Sequence, residues 1–390
     1  MEHNVGLPYN EAELQENGYP KMASIISLFN HKGGVSKTTT VFHLGWKIAS
    51  LGKRVLIVDA DPQCNLTGLT LGLDDYDSLV RFYDSKQNTD IFNSLAPEFS
   101  LEGVMHSPLT ATSITATKND NLFILAGNIR FSELDTQIAT AMTSSNTLPV
   151  LRKFVGAFNS LIRKMAAEHN IDIVLVDMSP SVSSTNQCIL MSSDYFLVPV
   201  SPDFYCYQAI DSLSNVLPKW AEEIRPFKKG GNSPLPTSNP KMLGFITQNY
   251  RIYTTTNQSS SEEVDQPKQM SRAYSDWLDR IKEVSNRRLV PALEASSMMI
   301  KKEHFTESVT HDSPYHLGGV QNFSGLIPVS QKLSKPIFEL SKEDGNWSGA
   351  RWMWEKDGKE NGIKVNIEEA DRVYLGLAHS VLNMIELDKK

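Results

Sequence analysis

The stretch that decides the fold is Phe29-Asn-His-Lys-Gly-Gly-Val-Ser-Lys-Thr-Thr-Thr40. It follows an apolar run, Ile25–Phe29, that predicts a buried strand, and it precedes a helical pattern with apolar residues three and four apart between Val41 and Leu51. In a strand–turn–helix unit of this kind, the backbone N–H groups of the turn and the positive end of the helix dipole converge on an anion. The sequence therefore predicts a phosphate-binding loop.

The side chains of this loop suit a nucleotide. The ammonium of Lys37 can reach the β- and γ-phosphates, and the hydroxyl of Thr38 can take a place on Mg²⁺. Gly33 and Gly34 lack a Cβ, so the backbone can approach a phosphate closely. An ordinary glycine-rich turn is the alternative, but it gives no reason for two lysines and three threonines at this spacing.

A second polar segment follows the next predicted strand. Lys53–Asp59 is a β-branched run entered from a glycine, and Asp59-Ala-Asp-Pro-Gln-Cys-Asn65 comes directly after it. Polar residues at the carboxyl end of a parallel strand, beside a phosphate-binding loop, face the ligand crevice. Asp59 and Asp61 are therefore candidate site residues, although Asp61-Pro62 can also simply begin a turn or a helix.

The strongest strand pattern in the chain also ends in an acid. Ile171–Asp177 is a continuous apolar run that delivers a carboxylate at its last residue, as strands that reach a nucleotide-bound metal do. A strand-end cap is the alternative role for Asp177. Further strands are predicted at 122–126, 194–200 and 241–249, and long helices at 148–170, 203–217 and 367–387.

Composition limits the classes of protein that this chain can be. Its 390 residues can hold one elaborated α/β domain, and a hydrophobic content of 40% is compatible with a sizeable core. The three cysteines contain no C-x-x-C pair, which argues against a disulfide framework or a zinc or iron–sulfur site and suits a reducing cytoplasm. No apolar run approaches the roughly 18 residues that cross a bilayer. Because the formal net charge is −7, any nucleic-acid contact must use a local basic patch.

Together, these motifs resemble one known family. The loop departs from the general pattern G-x-x-x-x-G-K-[ST], whose outer glycines would fall on His31 and Ser36, and instead matches Lys-Gly-Gly-x-x-Lys-Thr. This variant resembles the deviant Walker A motif of the ParA/MinD family of ATPases. The Asp59–Asn65 segment is similar to the family's D-x-D-P-Q-x-N. The residues after Asp177 are similar to its D-x-P-P-S switch segment, except that Ser179 replaces the first proline.

The resemblance implies an α/β fold with a mostly parallel, twisted central sheet flanked by helices on both faces. It covers residues 22–250 well and 320–390 more loosely. A single P-loop ATPase domain over residues 22–390 is expected, with insertions at about 251–320 and 340–365. Residues 1–21 are polar and show little periodicity, so they are predicted to form a flexible N-terminal extension.

The resemblance also implies a set of site residues for ATP and Mg²⁺. Lys32 would cross to the phosphates of a partner subunit in an ATP-dependent sandwich homodimer, and Asp61 would position or activate the attacking water. The expected catalytic residues are thus Lys32, Lys37 and Asp61. The expected nucleotide-binding residues are Lys32, Gly33, Gly34, Val35, Ser36, Lys37, Thr38 and Thr39, with Asn249 and Pro328 placed at the adenine pocket by position alone. The expected metal site consists of Thr38, Asp59 and Asp177.

The leading functional prediction is a cytoplasmic DNA-partitioning ATPase that binds double-stranded DNA non-specifically, associates with the nucleoid when it does so, and is stimulated by a ParB-like protein. The helix predicted over Met270–Arg288 and the lysines beyond it carry mixed charges, which form either a solvated face or a patch for DNA phosphates. A MinD-like membrane ATPase is one alternative, but acidic residues throughout 368–390 leave no basic membrane-binding face, so no membrane partner is expected. A stand-alone regulatory or defence-associated ATPase that acts on a protein partner is the other alternative, which the insertions keep open.

Overall fold

The computed structural model describes residues 22–73, 75–85, 90–99, 113–144, 151–228, 235–250, 252–253, 269–309, 314–323, 325–345, 354 and 363–390. The predicted extension at 1–21 lies outside these residues. So does much of the predicted insertion at 340–365, together with residues 254–268 of the predicted insertion at 251–320.

Within the described residues, strands account for ten segments. They are β1 (Ser24–Leu28), β2 (Val55–Ala60), β3 (Thr115–Ala116), β4 (Leu122–Leu125), β5 (Ile173–Met178), β6 (Tyr195–Val200), β7 (Lys241–Tyr250), β8 (Ile252–Tyr253), β9 (Gln269–Met270) and β10 (His316–Gln321). Eight of them form one sheet in the order β10-β7-β6-β1-β5-β2-β4-β3. Its pairs are parallel except for β3 with β4, while β8 and β9 form a separate antiparallel pair. The predicted mostly parallel α/β sheet is confirmed.

The helices of the described residues connect and cover these strands. They are α1 (Lys37–Ser50), α2 (Asn65–Leu71), α3 (Tyr76–Asp84), α4 (Ile91–Leu95), α5 (Leu134–Ser144), α6 (Arg152–Glu168), α7 (Ser184–Met191), α8 (Phe204–Ile224), α9 (Arg272–Val284), α10 (Val290–Ala295), α11 (Lys302–Ser308), α12 (Ile327–Leu333) and α13 (Ile363–Lys389). A π-helical turn, Ser285–Leu289, joins α9 to α10. One packed group contains α1, α11 and α13, and another contains α5, α6, α7 and α8, with α9 against α8.

The strand order explains why the functional residues meet at one edge of the sheet. From β1 the chain moves past β5 to β2, whereas from β5 it moves back past β1 to β6. Because crossovers between parallel strands are right-handed, this reversal places α1 and α7 on opposite faces of the sheet. It also opens a crevice at the carboxyl ends of β1 and β5, where ligands bind in sheets of this kind. The turn after β1 and Asp177 at the end of β5 lie at that crevice.

Long-range packing closes the fold around the central strands. Every residue of β1, β2, β5 and β6 is buried, as expected for parallel strands covered on both faces. The closing helix α13 packs against α1 and buries Tyr374, whose ring stacks on His43 of α1 with 4.9 Å between centroids. None of the helices in the described ranges is both long and apolar enough to cross a membrane.

One edge of the sheet is a strand that the sequence did not predict. Pro328 stands in the first turn of α12, where the fixed φ of proline favours a helix start. The edge strand is β10, which pairs with β7. The predicted insertion at 251–320 therefore runs into a strand of the main sheet. Gly318 and Gly319 weaken the strand signal of this segment, which explains why its pattern was missed.

Candidate nucleotide site

The loop between β1 and α1 has the backbone conformation of an anion-binding turn. Gly34 and Ser36 both adopt positive φ angles, of 75° and 59°. Successive left-handed and right-handed residues turn backbone N–H groups toward one point, and the helix dipole of α1 adds positive potential there. A left-handed conformation at a residue with a Cβ costs about 1 kcal/mol. Ser36 therefore holds strained backbone at the position where the general pattern has glycine.

Two hydrogen bonds hold the ammonium group of Lys37 inside the loop. Its Nζ donates hydrogen bonds to the carbonyl oxygens of Asn30, at 3.0 Å, and Lys32, at 3.3 Å. Burial lowers the pKa of this ammonium, while the carboxylates of Asp177 and Asp61 act in the opposite direction. A buried cation that bonds only to carbonyl oxygens and faces two carboxylates is poised to receive a phosphate.

Asp177 and Asp59 stand side by side on neighbouring strands, since they are register partners in the β2–β5 pair. Both are fully buried, and burial, together with the charge of Asp59, raises the pKa of Asp177 to about 8. Neither oxygen of Asp177 has a partner at full hydrogen-bond geometry among the described residues, but the Thr38 side chain and the charge of Lys37 lie close enough to oppose the rise in its pKa. Ionisation of this buried group is therefore costly unless a cation is bound beside it.

The donor set fits Mg²⁺ bound together with a nucleotide. Mg²⁺ prefers oxygen ligands and usually keeps waters and substrate phosphates in its shell. The hydroxyl of Thr38 and the carboxylate of Asp177 provide such oxygens. In the described part of the chain, no group of three or more His, Cys, Asp and Glu side chains is arranged to hold a metal ion alone. A metal here would therefore depend on the phosphates for most of its ligands.

Asp59 accepts hydrogen bonds within the fold that the sequence did not indicate. Its Oδ2 accepts hydrogen bonds from the backbone N–H of Thr67, at 2.8 Å, and from the Thr67 hydroxyl, at 2.7 Å. Burial raises the pKa of Asp59 to about 6, and these hydrogen bonds oppose the rise. Asp59 thus anchors α2 beneath the segment that carries Asp61, and a role toward the metal stays a prediction.

Asp61 lies at the mouth of the same crevice. It is only partly buried, and its Oδ1 accepts the Gln63 N–H at 3.0 Å, which shapes the turn after β2. Its charge raises the pKa of Lys37, so the two groups share one electrostatic environment. A partly exposed carboxylate near the phosphate loop is able to hold a water molecule, as the predicted role requires.

Lys32 extends away from its own loop toward α8. Its Nζ lies 2.5 Å from Oδ2 of Asp203 and 5.9 Å from the centroid of the Tyr205 ring. The other oxygen of Asp203 accepts the Cys206 N–H and so caps α8. The predicted crossing lysine is therefore paired within its own subunit in this structure.

The remaining predicted residues divide into two groups. Val35 is buried beneath the loop, and the carbonyl of Thr39 accepts a hydrogen bond from His43 within α1. Asn249 has φ of 59° at the end of β7 and accepts a 2.5 Å hydrogen bond from Asn322. Asn249 lies two strands away from β1, and Pro328 lies on α12, so their place at an adenine pocket stays a prediction.

Several residues that shape the site were missed at the sequence level. The Asn30 side chain donates to the Pro199 carbonyl at 2.8 Å and accepts from the Lys32 N–H at 3.0 Å, which ties the start of the loop to β6. Asp203 pairs with Lys32. Asn186, on α7, bonds to the segment after Asp177. Asn30 directly precedes the motif, and Asp203 precedes a helix, so their positions provided a weak signal; the role of Asn186 had none.

Comparison with known proteins agrees with this geometry. The AAA domain family matches residues 23–228, which is more than half of the chain. The chain is 28% identical over 197 residues to the sporulation initiation inhibitor protein Soj of Bacillus subtilis, an alignment that covers 50% of this chain and 65% of Soj. It is 29% identical to the chromosome-partitioning ATPase Soj of Thermus thermophilus, over 51% of this chain and 62% of that protein. Each alignment thus spans less than two thirds of the relative's own length.

A solved structure shows the same fold. A crystal structure of a Corynebacterium diphtheriae protein superposes with a TM-score of 0.58 and 20% identity, over 80% of this chain and 97% of the other. The strand order, the phosphate loop with its two lysines, and the matches to Soj proteins agree with one another. The chain belongs to the AAA domain family, within the ParA/MinD family of P-loop ATPases.

Proposed function

We propose that this protein is a Mg²⁺-dependent ATPase of the ParA type, which dimerises on ATP binding, binds DNA non-specifically and drives partitioning or positioning of DNA with a ParB-like partner. The observation that carries the nucleotide part is the fully buried acid Asp177, which lies beside Lys37 and Thr38 with its pKa raised to about 8. Ionisation of this acid is costly without a cation, and the loop next to it is built to hold an anion. ATP with Mg²⁺ supplies both.

Different residues of the chain would bind the phosphates, hold the metal and orient the attacking water. The loop N–H groups and Lys37 bind the phosphates, and Thr38 and Asp177 would hold Mg²⁺, which neutralises charge on the β- and γ-phosphates when it is bound. Asp61 orients the attacking water. Phosphoryl transfer needs positioning and charge stabilisation more than covalent chemistry, so these fixed groups provide what the reaction requires.

Lys32 would complete the site of a second subunit. A cation near the leaving oxygens stabilises the transition state, much as an arginine supplied by a partner does. To reach a partner, the Lys32 ammonium must exchange Asp203 for a phosphate. Because both side chains are partly exposed, that ion pair contributes about 1 kcal/mol or less and can be broken. Hydrolysis then removes the γ-phosphate and weakens the dimer.

DNA binding would have to use a local surface, because the protein is acidic overall. Some of the predicted basic side chains on α9 and the π-helical turn already contact other side chains of the protein. The guanidinium of Arg280 lies 4.9 Å above the Trp277 ring, and that of Arg288 lies 2.8 Å from Asp211. Arg272, Lys301 and Lys302 are exposed and form no ion pair among the described residues. The proposed phosphate contacts are therefore these three side chains.

The test is binding of a random-sequence DNA duplex with ATP, with ADP and without nucleotide, across a salt titration. The proposal expects binding only with ATP, a steep decrease with salt, and loss of binding in Lys32→Ala. Arg272→Ala should weaken binding and reduce the salt slope, whereas exposed Asp77→Asn on α3 serves as a control. If ATP dimerises the protein but DNA binds in no state, the DNA part of the proposal is wrong and the ATPase part stands.

A further inference from the structure

The segment that follows Asp177, Ser179–Ser183, is held by a single side chain. Asn186 lies in the first turn of α7 and is 1% exposed. Its Nδ2 donates to the carbonyl oxygens of Ser179, at 2.9 Å, and Ser181, at 2.7 Å. The hydroxyl of Ser179 donates to its Oδ1 at 3.3 Å. The Nδ2 also lies 3.1 Å from the hydroxyl oxygens of Ser179 and Ser181. Carbonyl and hydroxyl oxygens thus surround the two amide hydrogens, which fixes the orientation of the amide.

This arrangement compensates for a missing proline. The D-x-P-P-S pattern that this segment resembles has two successive prolines after the strand, and this chain has Ser179 at the position of the first proline. A proline restricts φ by its ring, whereas a serine leaves the backbone free to rotate. The buried amide of Asn186 provides the restraint instead, through bonds that are shielded from water.

We call the bonds from the Asn186 amide to Ser179 and Ser181 the amide clamp. The first turn of α7, which carries Asn186, is itself held in place. Asp135 of α5 accepts hydrogen bonds from both the backbone N–H and the hydroxyl of Thr185, each at 2.8 Å. Thr185 directly precedes Asn186 in α7. The start of α7 is therefore pinned to a neighbouring helix, and Asn186 cannot shift without breaking these bonds as well.

The clamped segment faces the phosphate loop. A Cβ added to Gly33 would come into ordinary van der Waals contact with Pro180, 3.9 Å from its Cγ, so the two turns face each other across a gap of about one methyl group. Carbonyl oxygens of the segment point to Asn186, and the N–H groups of Ser181 and Val182 donate no hydrogen bond to any other described residue. These N–H groups are available to an anion beside the loop.

We propose that Asn186 is a positioning residue for nucleotide discrimination, which holds Ser179–Ser183 so that this segment senses the terminal phosphate of ATP. The inference rests on the proposed nucleotide function and goes beyond it, because it assigns the ATP-versus-ADP preference to a residue outside the phosphate loop. ADP lacks the phosphate that the segment would meet, so Asn186 should matter little for ADP affinity.

The experiment compares the affinity of ADP and of a non-hydrolysable ATP analogue, both with Mg²⁺, among three proteins: wild type, Asn186→Ala and Ser183→Ala. Ser183 is the matched control, because its hydroxyl accepts the Asn186 backbone N–H at 3.2 Å and caps the same helix while the amide clamp remains. Asn186→Ala should reduce the preference for the ATP analogue by about tenfold or more. Ser183→Ala should leave this ratio within about twofold of wild type, since it removes a helix cap and leaves the bonds of the Asn186 amide to Ser179 and Ser181 in place.

A rescue variant separates positioning from general stability. Adding Ser179→Pro to Asn186→Ala restores a restraint on φ and should recover most of the lost preference. Asn186→Asp keeps the volume but replaces the donor with an acceptor, so it should behave as Asn186→Ala does and provides a second measurement if the alanine variant unfolds. An unchanged ratio in the folded Asn186 variants, or an equal loss in Ser183→Ala, would overturn the inference. Failure of the wild-type protein to bind either nucleotide would instead refute the proposed function.

Discussion

Replacement of Asp177 by asparagine should stabilise the nucleotide-free protein. The Asp177 carboxyl is fully buried, and its pKa is raised from 3.8 to about 8 by burial and by the charge of Asp59. At pH 7 the folded protein holds this group neutral, whereas the unfolded chain ionises it. The difference between pH 7 and a pKa of 3.8 corresponds to about 4 kcal/mol at 1.36 kcal/mol per unit. Asparagine has nearly the same shape and takes up no proton on folding, so the free-energy cost of protonating this group is absent in Asp177→Asn.

The sign of the pH dependence follows from the raised pKa. A group that binds its proton more tightly when folded contributes stability that is fully present below its unfolded pKa and is lost as the pH rises toward its folded pKa. The free energy of unfolding of the wild type should therefore fall, relative to Asp177→Asn, as the pH rises from about 4 to about 8. Equilibrium urea unfolding at pH 5 and pH 8 measures the change, with the exposed Asp77→Asn as control.

Binding of ATP with Mg²⁺ should reverse the order of stability, so that the wild type becomes more stable than Asp177→Asn. Binding of a cation needs the ionised carboxylate, so it should release a proton and stabilise the wild type but not Asp177→Asn. Calorimetry in two buffers of different ionisation enthalpy detects the proton. A gap between wild type and Asp177→Asn that is the same at pH 5 and pH 8 would refute the reasoning, because it would show that Asp177 titrates normally.

Four further predictions concern the same region of the fold. Burial lowers the pKa of His43 to about 4, so acid should destabilise the protein as the pH falls from 6.5 toward 4, by about 2 kcal/mol at pH 5, and unfolding of His43→Gln should show a flatter pH dependence in that range. Ser36→Gly should raise the free energy of unfolding by about 1 kcal/mol because glycine tolerates a φ of 59°; a loss of stability by urea titration would contradict the strain argument. Asp61→Ala should bind ATP and accumulate as a dimer by light scattering without releasing phosphate, and a wild-type hydrolysis rate would show that Asp61 is not the water-orienting residue. Asp203→Asn still caps α8 but frees Lys32, so half-maximal dimerisation should need an ATP concentration a few-fold lower, by about the strength of one exposed ion pair; an unchanged concentration would mean that the pair does not restrain Lys32.

The central sheet could be predicted from the sequence because its strands carry strong local signals. The runs that end at Phe29, Asp59 and Asp177 are apolar, β-branched and followed by polar turns, which is what buried parallel strands require. β10 could not be predicted in the same way. It contains two adjacent glycines, and it is a strand because β7 lies beside it rather than because its own residues favour one.

The candidate site was predictable where function depends on residues close together in sequence, and not where it depends on contacts between distant ones. Lys37 and Thr38 follow from the loop alone. Lys32 is 171 residues from Asp203, and nothing in either segment indicates that the two side chains meet. Asp59 was read correctly as a residue at the end of a strand, but its bonds to Thr67 depend on how α2 folds back over β2.

The same sheet that places the acids also maintains their unfavourable arrangement. Asp177 is paired by register to Leu28 of β1 on one side and to Asp59 of β2 on the other, so backbone hydrogen bonds hold the two carboxyls next to each other. The neighbouring strands, whose residues are all buried, offset the cost of burying these two acids, because the cost at one register position is small against the burial of the whole sheet. A cation at this position would favour the ionised form of Asp177 only when a phosphate is also present to complete the ligands of the metal. The fold thus keeps, at the end of β5, an acid whose ionisation is unfavourable in the nucleotide-free protein, directly before the segment that begins at Ser179.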